Sequence, residues 1–274
     1  MRATAAVRAG RTAGCLVERP GFAPIPELLG GHGVVRQLSW GEMFSLAGTA
    51  TAPMTLWLTS PGRNPDGRSL SAAERALLGD LVLAGHQVWV NRVYRWFDAE
   101  DGAGPAGAEH HSAPWWSVDS LSKLCGGGSR LGWVTGPEDV EHPAGLRTSG
   151  PSTIWQRSWA FFLDAAASHA LHVQCVEPTV AARRAFLDRL RSELGWTFTG
   201  LEAGVSVTLA VPGPSESAAV ALFEEHGLRV SPGSAFGMTA VSVRLAFSGV
   251  TEAESRAAAG IVARLAVAGL CVPR

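Results

Sequence analysis

The sequence SLSKLCGGGSRLGW spans residues 120–133 and guides the interpretation of the whole chain. Lys123 is the only lysine present; Ser120 and Ser122 precede it, and a glycine turn and Arg130 follow it. A lysine amine can form an imine with an aldehyde, whereas an arginine stays protonated. Hydroxyls, backbone N–H groups and an arginine fork all bind phosphate. The stretch therefore predicts a site for an aldehyde that carries a phosphate, and a solvated turn with a surface lysine is the alternative.

The composition excludes several classes of protein. The chain has 274 residues, 23 Lys and Arg against 24 Asp and Glu, and a formal net charge of -1, so we expect no nucleic-acid partner. No apolar run is long enough for a membrane helix, and the start lacks the apolar segment of a secretory signal. Four widely spaced cysteines favour a reducing cytoplasm and indicate neither a disulfide scaffold nor a metal cluster.

Strands and helices alternate in the first half of the chain. Ser71 and Glu74 form a capping box that predicts a helix running to about Ala84. Strand, helix and strand joined by short turns predict an α/β fold, with a mainly parallel sheet and covering helices. Apolar runs predict strands at residues 15–18, 34–38, 54–59, 87–90 and 130–134. Residues 98–119 are expected to form a loop.

The second half has a different pattern. Residues 152–171 predict a long helix with an aromatic stripe. A mixture of helices and strands then predicts an α+β layer of its own. We expect helices at 181–194, 215–225 and 252–265, and strands at 206–211, 228–230 and 241–247. We therefore divide the chain into residues 1–150 and residues 151–274, a larger domain and a small C-terminal domain.

Five segments in chain order resemble motifs of fold-type I pyridoxal-phosphate (PLP) enzymes of the class I/II aminotransferase family. Residues 60–67 are similar to its S-P-x-N-P-x-G turn with one extra residue, and residues 90–94 to its D-x-x-Y strand end. The end of 120–133 is similar to the alliinase-like branch, which includes carbon–sulfur lyases. The other matching segments are residues 18–22, which resemble the loop that carries the family's stacking aromatic residue, and residues 232–237 and 243–245, which resemble its C-terminal signature.

The resemblance implies a role for each matching residue. Lys123 would form the imine with PLP and shuttle a proton at the substrate α-carbon. Asn64 and Tyr94, the only tyrosine, would hydrogen-bond the phenolic oxygen of the cofactor. Phe22 would stack on its pyridine ring, and Arg244 would bind the substrate α-carboxylate as a bidentate pair. Further cofactor contacts are implied for Asn91, Ser120, Ser122 and Arg130.

Three departures from the family pattern bear on function. Asn91 stands where the family has the aspartate that keeps the pyridine nitrogen protonated, so carbanion stabilisation should weaken. The turn between Lys123 and Arg130 is one residue shorter than usual. Lys123 also lies about a hundred residues earlier than usual, which implies that the PLP-binding large domain is incomplete at its N-terminus.

The resemblance implies a PLP-dependent aminotransferase-like enzyme that acts on a small amino acid, in specialised metabolism. Two alternatives stay open at this point. One is a PLP-dependent carbon–sulfur lyase, and the other is a degenerate or split subunit without catalysis of its own. Because fold-type I sites are usually built across a dimer interface, we expect a homodimer or a hetero-oligomer whose partner subunit supplies the missing N-terminal part.

Overall fold

The chain divides into two compact units, and each is described by itself. A computed structural model describes residues 12–30, 33–98, 113–124, 131–137, 152–164, 170, 172–198, 203–213 and 215–273. The first unit comprises residues 1–60, 70–93 and 103–170, and the second comprises residues 61–69, 94–102 and 171–274. The proposed boundary at residue 150 stays a prediction.

A six-stranded sheet forms the centre of the first unit. Its strand order is β2-β1-β3-β4-β5-β6, and every neighbouring pair is parallel except β5 with β6. The strands are β1 (Cys15–Glu18), β2 (Val35–Leu38), β3 (Thr55–Thr59), β4 (Gln87–Asn91), β5 (Trp116–Ser120) and β6 (Gly132–Thr135). The predicted fold class, a mainly parallel sheet with covering helices, is thereby confirmed.

Side-chain capping starts two of the helices of the first unit. The predicted capping box of Ser71 and Glu74 is present, and Ser39 forms a second box with Glu42. The Ser39 helix had no counterpart in the sequence prediction, although S-x-x-E is the pattern that marks such a start. The helices are α1 (Pro24–Gly30), α2 (Trp40–Thr49), α3 (Ala72–Leu83) and α4 (Thr153–Asp164).

Both faces of this sheet are buried by apolar side chains. On one face Trp57 stacks on Trp89 with ring centroids 6.3 Å apart, and Trp89 stacks on Trp116 at 5.2 Å. On the other face Trp40 and Met43 pack among aliphatic strand and helix residues. Burial on both faces explains why the strands are continuous apolar runs, as expected for a parallel sheet.

The second unit is built on a four-stranded antiparallel sheet of order β10-β7-β9-β8. Its core includes Phe186, Phe223, Leu209 and Val262, all fully buried. The predicted α+β layer is therefore confirmed. Its strands are β7 (Ser206–Ala210), β8 (Ser231–Pro232), β9 (Ser242–Ala246) and β10 (Val272–Pro273), and its helices are α5 (Glu177–Leu194), α6 (Glu216–Glu225) and α7 (Glu252–Val267).

Two sequence predictions were wrong in detail. The predicted loop 98–119 ends in strand β5, whose Trp116 is buried against Trp89. The predicted strand 228–230 is instead the turn after α6, where the Leu228 N–H donates to the Phe223 carbonyl at 2.9 Å. Gly227 has φ +79 there, the left-handed conformation that commonly ends a helix.

Candidate active site

The carboxyl ends of the parallel strands lie along one edge of the first unit's sheet. Strand β4 ends at Asn91, and strand β5 ends at Ser120, three residues before Lys123. Asn91 pairs with Val118, and the Arg92 N–H donates to the Val118 carbonyl at 2.7 Å. The structure therefore brings Asn91 and the lysine turn together on adjacent strand ends. In open α/β sheets, ligands bind outside this edge.

The turn that carries Lys123 is closed by its own serines. The Ser122 N–H donates to the Ser120 hydroxyl at 3.0 Å, and the two hydroxyls lie 2.7 Å apart. The Ser120 hydroxyl also donates to the Leu131 carbonyl at 3.2 Å. A 3-10 helix, Leu121–Lys123, follows; Leu121 is buried and Lys123 is exposed. Phosphate contacts of Ser120 and Ser122 stay predictions, and Arg130 lies outside the described residues.

Only one of the two polar atoms of the Asn91 amide, Nδ2, has a hydrogen-bond partner among the described residues. Its Nδ2 donates to the Thr59 hydroxyl at 3.4 Å. Its Oδ1 is buried and has no hydrogen-bond partner among the described residues. An unpaired buried acceptor is costly, so this oxygen is suited to receive a donor from a ligand.

Phe22 lies four residues beyond the end of β1, in the turn before α1. Its side chain is 54% exposed, which is unusual for a phenylalanine in a compact unit. An exposed ring of this kind has a face available for a planar ligand. Its predicted stacking role stays a prediction.

Asn64 belongs to a tightly bound turn of the second unit. The Ser206 hydroxyl donates to the Pro65 carbonyl at 2.8 Å, and the Gly62 N–H donates to the Ser69 hydroxyl at 3.1 Å. Arg63, in the turn that has one extra residue relative to the family pattern, is buried and paired with the Asp66 carboxylate. The Asn64 Oδ1 is buried without a partner among the described residues.

Tyr94 and Arg244 interact within the second unit. Arg244 lies on β9 between Thr208 and Ser231, and its guanidinium carbon is 5.1 Å from the centre of the Phe236 ring. Burial lowers the pKa of Arg244, and the interaction with Tyr94 partly opposes that shift. The Nε of Arg244 is buried with no partner among the described residues. Arg244 is therefore a half-buried cation whose Nε–H can still donate a hydrogen bond.

Sequence reasoning missed buried polar residues at the other strand ends. Glu18 ends β1 and Thr59 ends β3, and each is 3% exposed. Asp119, next to the end of β5, is 1% exposed. A polar residue closing an apolar strand was the available signal, because buried polar groups need a reason to be there.

Metal-ligating residues do not gather anywhere in the part of the chain that the structure describes. None of the helices in the described ranges is long and apolar enough to cross a membrane. His110, His111 and Cys125 lie outside the described residues.

The family described as "Aminotransferase class I and II" matches residues 47–262. The chain belongs to this family. Lys123, Asn64, Asn91, Tyr94 and Arg244 fall inside the matched range, whereas Phe22 precedes it. A comparison with curated proteins found no match.

Several solved aminotransferase structures have a similar fold. An aminotransferase from Mycobacterium tuberculosis superposes with a TM-score of 0.75 and 19% identity, covering 97% of this chain and 73% of that chain. Aspartate aminotransferase from Thermus thermophilus with maleate gives 0.72 and 21%, covering 96% and 73%. Aromatic aminotransferase from Pyrococcus horikoshii OT3 gives 0.71 and 20%, covering 93% and 73%. At these identities the likeness establishes the fold.

Family membership makes PLP the expected cofactor. Asn91 and Asn64 have the hydrogen-bonding groups that PLP needs. Its ring nitrogen and phenolic oxygen need hydrogen-bonding groups that are buried and uncommitted. The buried Oδ1 of Asn91, which has no partner among the described residues, can accept from a protonated ring nitrogen. The amide N–H of an asparagine such as Asn64 can donate to a phenolic oxygen. Lys123, the residue that would bind the aldehyde, is exposed.

Proposed function

We propose that this chain is a PLP-dependent aminotransferase that acts on a small amino acid in specialised metabolism. The observation that carries the proposal is the placement of Asn91 and the Lys123 turn on adjacent strand ends of one parallel sheet. Because parallel sheets bind ligands at this edge, a lysine and a buried amide oxygen without a partner among the described residues suit a planar aldehyde with a ring nitrogen.

Residues of the first unit hold the cofactor in this proposal. Lys123 would hold the aldehyde through Nζ with loss of water, and its amine, once displaced by the substrate amine, would move the proton at the substrate α-carbon. Asn91 binds the ring nitrogen, and Phe22 covers the ring. The bound cofactor supplies an electron sink for the α-carbon. Phosphate contacts come from Ser120, Ser122 and Arg130.

The resemblance also assigns roles to residues of the second unit. Asn64 and Tyr94 bind the phenolic oxygen of the cofactor. Arg244 binds the substrate carboxylate, and its unpartnered Nε supports that role because a buried donor gains most from an anionic acceptor. The Phe236 ring beside the guanidinium restricts its orientation. A carboxylate held there directs an amino acid rather than a simple amine to the site.

The neutral amide at position 91 bears on how active the site is. An amide leaves the ring nitrogen less strongly protonated than a carboxylate would, and this weakens stabilisation of a carbanion. A subunit without catalysis of its own is therefore one competing outcome, and carbon–sulfur elimination is the other reaction to be tested. Each predicts a different product pattern.

The first experiment asks whether Lys123 binds the cofactor. The purified chain is mixed with PLP, its visible absorption is recorded, and the sample is reduced with borohydride before peptide mapping. We expect an absorption band and a reduced adduct on Lys123. Lys123→Arg, the matched control, keeps the positive charge and should lose both. No band with saturating PLP would refute an active site in this chain alone.

The second experiment identifies the reaction. Small amino acids are supplied with and without a 2-oxo acid acceptor. Aminotransferase activity requires the acceptor and produces a new amino acid, whereas elimination releases ammonia and a thiol from a sulfur-containing substrate. Binding of PLP without either product would favour the subunit without catalysis.

Assembly and compartment are part of the proposal. We propose a dimer, or a hetero-oligomer in which a partner subunit supplies the N-terminal part of the cofactor site. The mass of the holoprotein in solution, with and without a candidate partner, tests this. Free Cys15, Cys175 and Cys271 support a reducing cytoplasm.

A further inference from the structure

Asn91 is held from one side by strand β3. Thr59 lies directly opposite it in the parallel register, so the two side chains share one face of the sheet. The Asn91 Nδ2 donates to the Thr59 hydroxyl at 3.4 Å, and the Ser60 N–H donates to the Asn91 carbonyl at 3.0 Å. Backbone and side-chain bonds therefore both connect the ends of these two strands.

Thr59 is itself fixed from the opposite side. Its backbone N–H donates to Glu18 Oε2 at 2.9 Å, and the same oxygen accepts the indole N–H of Trp40 at 2.9 Å. Thr59 and Glu18 are each 3% exposed and Trp40 is fully buried. Because these groups lie in a packed core, Thr59 has little freedom to move away from Asn91.

The orientation of the Asn91 amide has a chemical consequence. With Nδ2 directed to Thr59, the group left for a ligand is Oδ1, which is buried and unpartnered among the described residues. An amide oxygen accepts hydrogen bonds and cannot donate them. A ring nitrogen facing it must therefore carry a proton. The reversed amide would instead donate to a ring nitrogen that carries none.

We propose that Thr59 is a positioning residue that directs the Asn91 amide oxygen to the cofactor ring, so that the ring nitrogen is bound in its protonated form. The inference rests on the proposed function, because it needs PLP in the site. It explains how a neutral residue retains part of the role of the family's aspartate. Glu18 and Trp40 support the arrangement by fixing the backbone of Thr59.

The test uses the holoprotein loaded with PLP labelled with ¹⁵N in the ring. The ¹⁵N chemical shift separates a protonated from an unprotonated ring nitrogen without any turnover. We expect the protonated range in the wild type. In Thr59→Val the shift should move toward the unprotonated range, and PLP affinity should fall about two- to tenfold with the lost hydrogen bond. Thr59→Ser restores the hydroxyl and should restore the wild-type shift.

Thr55→Val is the matched control. Thr55 is buried on the same strand and the same face, and its hydroxyl lies 2.8 Å from that of Thr12. This variant should keep the wild-type ring shift. An unprotonated ring in the wild type, or equal shifts in the wild type and a folded Thr59→Val, would overturn the proposal. Failure of the wild type to bind PLP is a separate result that overturns the proposed function as well.

Discussion

A close contact between two glycines gives a sharp prediction about the turn that carries Asn64. Gly62 has φ +70, and a Cβ added to it would lie 2.5 Å from both Cα and N of Gly204. Both atoms belong to backbone and cannot rotate away. Gly204 has φ +83, and its own added Cβ would lie 2.9 Å from Gly62 Cα. Substitution at either position therefore disturbs the packing of this turn.

The cost of Gly62→Ala has two parts. A left-handed conformation costs an L-residue about 1–2 kcal/mol. Forcing a methyl group into packed backbone adds about 1–3 kcal/mol. We expect Gly62→Ala to lower the free energy of unfolding by about 2–5 kcal/mol, a large part of the about 5–15 kcal/mol typical of folded proteins.

Gly227→Ala separates the two parts. Gly227 belongs to the same unit and has φ +79, but no atom lies within 4 Å of its added Cβ. This control should lose only the conformational cost of about 1–2 kcal/mol. Urea unfolding measures both variants, and PLP titration should show weaker binding, up to about tenfold, in Gly62→Ala alone because Asn64 moves with the turn. Equal losses of stability in the two variants would refute the close contact.

Two further predictions concern stability alone. Thr251→Ala removes the hydroxyl of the capping box that starts α7, and it should lower the free energy of unfolding, measured in urea, by about 1 kcal/mol. The control Thr239→Ala, at an exposed position, should change the free energy of unfolding by less than about 0.5 kcal/mol. Similar values for the two variants would contradict the capping role. His86 Nδ1 accepts the Met54 N–H at 3.1 Å, and burial lowers the pKa of His86. As the pH falls, the His86 imidazole therefore takes up a proton in the unfolded chain before it does so in the folded chain. The free energy of unfolding is then fully present above about pH 6.5 and decreases as the pH falls below that value. Between pH 7.5 and pH 5.5, the free energy of unfolding of His86→Asn should fall by less than that of the wild type or of the control His226→Asn. Equal losses in all three proteins would show that His86 does not cause the loss of stability at low pH.

Local patterns were sufficient for most elements of the fold. The Ser71 capping box and the alternating strands and helices act within a few residues, so they are visible in the sequence. Strand β5 escaped prediction because Ser117, Asp119 and Ser120 are typical of loops. Their burial depends on neighbours that a local pattern does not include. The turn at Gly227 was missed because an apolar run after it resembled a strand.

For the candidate site, the sequence motifs predicted which residues are involved but not the hydrogen bonds that those residues make. Lys123 was predicted from its own sequence context and Asn91 from the resemblance, and the sheet places Asn91 and the lysine turn on adjacent strand ends. The closing of the lysine turn by Ser120 and Ser122 is a contact two residues apart, yet the same hydroxyls had been assigned to phosphate. A sequence motif identifies the type of residue at each position. It does not show which hydrogen bonds of that side chain are already made within the fold.

The contact between Thr59 and Asn91 depends on strand register, since a slip of one residue would move either side chain to the other face. The stacked tryptophans provide that register. Trp57 pairs with Trp89, and Trp89 with Trp116, so the residues two positions later are also aligned. Those residues are Thr59, Asn91 and Val118. Trp57 and Trp89 lie in predicted strands, but Trp116 lies in the predicted loop 98–119, so the sequence alone did not show this alignment. The core packing of one sheet face thus places the polar groups at its edge, and the Trp57–Trp89–Trp116 stack connects the stability of the fold to the geometry of the candidate site.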